Sequence, residues 1–138
     1  MDTRRLVIGT VVGGIALFVL GYLIFDLAFA SFYAANVGSA TGVGREAQLL
    51  WAVALGSLSY AALITLVIGS RVGSSTIGAG LKSGAVVGFL LWFTADFILY
   101  GVSNVSNLTR SVVDPLLELV RGGLGGGVIA VVVGKIAK

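Results

Sequence analysis

Gly88-Phe-Leu-Leu-Trp92-Phe-Thr-Ala-Asp96-Phe-Ile-Leu-Tyr100-Gly-Val-Ser103-Asn104-Val-Ser106-Asn107 is the stretch on which the reading of this chain turns. One carboxylate, Asp96, interrupts an apolar run that then ends in a cluster of amides and hydroxyls. An ionisable group at membrane depth is costly enough to mark a functional residue by default. If the run spans a bilayer, Asp96 is therefore the first candidate residue.

Composition says that it does span one. Of the 138 residues, 57% are hydrophobic and 11% are charged, and the mean hydropathy is +1.06. Soluble domains carry about 25% charged residues, so this chain has too little polar surface to cover a globule of its size. Lipid must cover the rest. The expectation is a single membrane domain over residues 1-138, all-α, with no separate soluble domain.

Cysteine and histidine are both absent. That removes disulfides, thiolate chemistry, haem ligation by either residue and the common zinc sites. A metal would need oxygen ligands, and neither a metal site nor a cofactor is indicated. The net charge of +3 is small and spread out, without the basic run and interleaved aromatics of a nucleic-acid binder. Its meaning is orientation in the membrane.

Working outward, four apolar segments are expected as transmembrane helices at about 6-33, 47-69, 83-101 and 115-134. The first resembles a signal peptide at its start, with Arg4-Arg5 and an Ala28-Phe-Ala30 cleavage pattern. Its apolar stretch is longer than the 7–15 residues of such a peptide, and Asp26 stands just before the cut, so a span is the better reading. The fourth is expected to begin at Asp114-Pro115, an acceptor at the N-cap with proline at the first helical position. Asn104-Val-Ser106 and Asn107-Leu-Thr109 match the glycosylation tripeptide, but they read better as side chains that satisfy a helix end.

Gly80, Gly84 and Gly88 recur every four residues, as do Gly9 and Gly13, and Gly122 and Gly126 stand in a dense glycine block. Small residues so spaced let another backbone approach closely. Four spans put both termini on one side. The cations Arg4, Arg5, Arg71, Lys82, Lys135 and Lys138 gather there, against Arg45 and Arg110 opposite, so the termini are expected in the cytoplasm.

With those boundaries Asp96 lies about 20 Å into its span, and Asp26, Glu118 and Arg121 join it in the outer half. Arg121 must snorkel or find a carboxylate. Trp92, Asp96, Tyr100, Ser103 and Asn107 share one helix face, and Tyr22, Asp26 and Tyr33 share another. Packed together, these faces would enclose an outward-facing polar pocket of Asp26, Tyr33, Trp92, Asp96, Tyr100, Asn104, Asn107, Glu118 and Arg121. No catalytic residues are identified, because no nucleophile and base pair, P-loop or other motif names a reaction.

Leu20-Gly-Tyr-Leu-Ile-Phe25, the run Gly84 to Asp96, Tyr100-Gly-Val-Ser-Asn-Val-Ser-Asn-Leu-Thr109 and Val113-Asp-Pro-Leu-Leu-Glu-Leu-Val-Arg-Gly-Gly123 together resemble the small four-helix membrane proteins of microbes grouped as domains of unknown function. The resemblance implies the architecture and a multi-pass place in the plasma membrane, and no reaction. The functions expected are binding of a small molecule, lipid headgroup or partner helix. The alternatives are a proton- or cation-coupled carrier or channel using Asp96 and Asp26, or an accessory subunit. Partners are then the lipid bilayer and either a second copy or another membrane subunit.

Overall fold

A computed structural model describes residues 1–70 and 75–136. Arg71 and Lys138, counted above among the orienting cations, lie outside the described residues. The chain is all-helical: α1 (Thr3–Gly21), a π-helical segment (Tyr22–Ala28), the short α2 (Ala30–Ala35), α3 (Leu50–Gly69), α4 (Ile77–Val102) and α5 (Leu108–Ile136). Among the described residues four helical stretches are long and apolar enough to cross a membrane, Thr3–Ala28, Leu50–Gly69, Ile77–Val102 and Leu108–Ile136.

Three helix starts carry side-chain caps. The Arg5 N–H donates to Asp2 Oδ1 at 2.8 Å, the Ala79 N–H to Thr76 Oγ1 at 3.2 Å, and the Arg110 N–H to Asn107 Oδ1 at 2.8 Å. Each satisfies a backbone donor that a first helical turn leaves free. The last of these corrects the expected start of the fourth span. Asn107 caps α5 two turns before Asp114, and Pro115 lies inside the helix. The first span also differs from one continuous α-helix, because it loosens into i→i+5 bonding at Tyr22, seen where the Phe29 N–H donates to the Ile24 carbonyl at 2.8 Å.

α5 is the central helix, buried along two faces. On one face it runs antiparallel to α4 at backbone distance. A Cβ added at Gly84 would meet the Gly122 carbonyl, one at Gly80 the Gly126 carbonyl, and one at Gly88 the Glu118 carbonyl. On the other face it meets α1 in steps of four: Gly9 faces Val133, Gly13 faces Ile129, Leu17 faces Gly125, and Gly21 faces Arg121. α3 closes the far side of α1, with Thr65 against Gly9, Ala61 against Gly13 and Leu58 against Gly14. The apolar core of Leu17, Ala61, Ile64, Ile68, Ile129, Ala130 and Val133 lies among these three helices. α3 and α4 are in contact over only a short length.

The start of α1 and the end of α5 lie at one end of the bundle, where Met1 reaches Gly69 and Ser75 reaches Gly134. At the other end the 36–49 and 103–107 loops are joined. Val37 and Ser106 form an isolated antiparallel bridge, the Ala40 N–H donates to the Asn104 carbonyl at 3.0 Å, and Asn107 Nδ2 donates to Asn36 Oδ1 at 3.2 Å. The outward faces of the helices carry large apolar side chains such as Ile15, Leu55, Leu90 and Ile98.

Candidate functional site

Arg121 stands at the midpoint of α5 and is 7% exposed. Its Nε and Nη2 donate to the Leu17 carbonyl of α1 at 3.0 and 2.9 Å. Its Nη1 donates to Glu118 Oε1 at 3.0 Å, one turn back on the same helix. The guanidinium lies 5.7 Å from the ring centres of both Phe25 and Tyr60, within cation–π range. Gly21 makes the room, since a Cβ there would sit 2.8 Å from Arg121 Nη2. Glu118 is 2% exposed, and its Oε2 has no hydrogen-bond partner.

Asp96 does not join this ion pair. Its carboxyl stands beside that of Asp114, within hydrogen-bonding reach, and its Oδ2 is buried without a donor. The helix register explains the separation. Extending the pairing of Gly84 with Gly122 and Gly88 with Glu118 brings Trp92 level with Asp114 and Asp96 level with Arg110. Arg121 is level with Ala85, about 16 Å further along α4. Asp114, read from sequence as a helix cap, is instead a buried carboxylate that accepts the Tyr33 hydroxyl. Burial and this acceptor hold the Tyr33 phenol protonated, its pKa pushed far above the ordinary value. Arg110 lies 4.9 Å over the Tyr33 ring.

Two clefts flank Arg121. The first, of about 590 Å³, lies between α3 and α4 and is lined by Val53, Gly56, Ser57, Ser59, Tyr60, Leu63, Leu91, Trp92 and Arg121. The second, of about 730 Å³, lies between the first span and α3, with Phe25, Asp26, Gln48, Leu50 and Arg121 among its lining residues. Tyr60, only 5% exposed, passes its hydroxyl between the backbones of Gly88 and Gly122, beside the Glu118 carboxylate, while the buried Trp92 Nε1 has no partner. A buried polar atom left so is uncommon in native structures and asks for an explanation.

The expected single pocket is thus divided. Trp92 and Arg121 line the first cleft, while Asp26 and Arg121 line the second. Asp26 accepts from Gln48 Nε2 at 3.0 Å and is exposed. Tyr33 and Asp96 meet at Asp114. Asn107 holds the α5 cap and Asn36, Asn104 contributes its backbone to the joined loops, and Tyr100 is 40% exposed. Tyr60, Asp114, Gly21 and the Leu17 carbonyl were not among the sequence candidates. Gly21 alone carried a signal, continuing the four-residue steps from Gly9 and Gly13. Among the described residues no group of three or more Asp or Glu side chains is placed to hold a metal ion.

The chain matches no known protein family, no curated protein and no solved structure.

Proposed function

We propose that this chain is a four-span protein of the plasma membrane, with both termini in the cytoplasm, that binds a small molecule between α3 and α4 without transforming it. This extends the resemblance to small four-helix microbial membrane proteins. The observation that carries the proposal is the cleft itself, about 590 Å³ between α3 and α4, with Val53, Leu63 and Leu91 among its apolar walls and Ser57, Ser59 and Trp92 among its polar ones. Ligand sites combine an apolar lining with a few convergent polar groups in this way. The nearby Arg121 and Glu118 form an ion pair that ties α5 to α1 and supports that wall of the cleft.

Gly56 supplies the test. It lines the cleft, and a Cβ there would touch nothing within 4 Å, so Gly56→Leu fills the space without displacing the fold. Native mass spectrometry of protein released from its membrane should show a bound small molecule on the wild type and not on Gly56→Leu. Equal ligand occupancy in both proteins would place the site elsewhere, and a ligand-free wild type would count against the binding reading.

One observation favours a second reading, a proton- or cation-coupled carrier. Adjacent carboxylates repel unless a proton or cation lies between them, and Asp96 and Asp114 are such a pair, near the joined loops. Asp26 is not part of it. Asp96→Asn in proteoliposomes should then abolish coupled flux while leaving the fold intact, and unchanged flux would remove this reading.

A further inference from the structure

We infer that the cleft between the first span and α3, separate from the α3–α4 cleft, is a second binding site that takes an amphipathic organic ammonium, an amine carrying a flat apolar body. Three observations support this. First, the rim of the cleft presents acceptors. Asp26 and Gln48 both line it and are exposed, and Gln48 Nε2 donates to Asp26 Oδ1 at 3.0 Å. That bond holds the carboxylate at the rim and commits the donor end of the amide to it. The second carboxylate oxygen and the amide oxygen are then the acceptors offered to a ligand. An ammonium brings up to three N–H donors and the charge opposite to that of Asp26.

Second, an apolar wall continues below the rim. Phe18, Tyr22 and Asp26 follow one another in steps of four along one helix face, with Leu50 and Val53 of α3 across the cleft from them. Tyr22 is 52% exposed, so its ring is bare to a flat ligand, and it lies one turn below the carboxylate, where a ring face also attracts a cation. The volume of about 730 Å³ is within the range of small-molecule sites. Third, the upper part of this wall is the π-helical segment Tyr22–Ala28, and π-helical turns inserted in a helix are frequent at functional sites. The cation at the floor does not oppose an ammonium at the rim, because Arg121 is paired with Glu118 at 3.0 Å and also bonds the Leu17 carbonyl. Asp26 stands two residues from the end of its span at Ala28. The ammonium therefore sits at the water-facing end of the cleft, and the apolar body reaches down between the first span and α3.

Equilibrium dialysis of the protein in phosphatidylcholine nanodiscs at neutral pH, with empty nanodiscs as the partition blank, would compare three probes on one skeleton: naphthylethylamine as the cation, naphthylethanol as the neutral form and naphthylacetate as the anion. The amine should bind saturably, while the alcohol and the acetate only partition into the lipid. Asp26→Asn keeps an oxygen for Gln48 and removes the charge, and it should weaken amine binding roughly three- to tenfold. Asp26→Glu restores the charge and should recover most of that loss. Gly56→Leu, which fills the α3–α4 cleft, should leave amine binding unchanged. Acetate or alcohol binding as tightly as the amine would overturn the selection for an ammonium, as would undiminished binding by Asp26→Asn or an equal loss in Asp26→Glu. Amine binding lost in Gly56→Leu would move the site to the other cleft, and no saturable binding by any probe would overturn the inference while leaving the α3–α4 reading to its own test.

Discussion

Replacing Arg121 with Met removes the guanidinium and its three hydrogen bonds but keeps much of its volume. Glu118 is then left 2% exposed without its cation. Breaking a buried pair from one side costs about 3–5 kcal/mol, because the remaining charge is uncompensated. Glu118→Gln is milder. The amide oxygen still accepts from Nη1, and Arg121 keeps the Leu17 carbonyl, so the loss is the difference between a charged and a neutral hydrogen bond, about 1–2 kcal/mol. The double variant leaves neither charge of this pair buried. It should unfold less readily than Arg121→Met alone, with a coupling of about 2 kcal/mol or more, in the range of contacting residues. Detergent or thermal unfolding followed by far-UV circular dichroism on the four proteins measures this. Additivity within about 0.5 kcal/mol would refute the geometry. Asp96→Asn added to Arg121→Met should be additive to the same tolerance, since the two residues are about three turns of α4 apart in level.

The α4–α5 contact predicts opposite signs for two glycines. Gly84→Ala forces a Cβ into the Gly122 carbonyl, where only backbone could give way, and should destabilise by about 1–3 kcal/mol; Gly56→Ala meets open space and should stabilise by up to about 1 kcal/mol, both read as unfolding midpoints. Tyr33→Phe strips a buried carboxylate of its phenol donor and should cost about 1–3 kcal/mol by the same assay. Gly38→Ala drives a Cβ against the Asn104 carbonyl, so amide exchange should quicken at Ala40 and Gly38 while α1 and α5 stay protected. Faster exchange throughout the bundle would contradict that.

The helices were legible from hydropathy, and the four long apolar stretches follow it closely. Which residues meet was legible only in part, and the start of α5 shows why. Asp114-Pro115 has every local mark of a helix start, yet Asn107 caps the helix two turns earlier. From the later start, Glu118 and Arg121 fall in the outer half of the span and Asp114 reads as a cap. The observed helix puts Arg121 at its midpoint and Asp114 within its buried face. The grouping of Asp96 with Arg121 had a second cause. It rested on shared helix faces and estimated depth, whereas the register set where Gly84 meets Gly122 brings Asp96 level with Arg110. The Leu17 carbonyl could not be found from side-chain types, because every residue has one. The loosening to π-helical bonding at Tyr22 left no mark that composition or periodicity records.

The most direct measurement is an experimental structure of the protein in lipid nanodiscs prepared from its own membrane, inspected between α3 and α4. The account predicts non-protein density in the cleft, lying against Val53, Leu63 and Leu91. A cleft closed by its own side chains, with no density between α3 and α4, would contradict it.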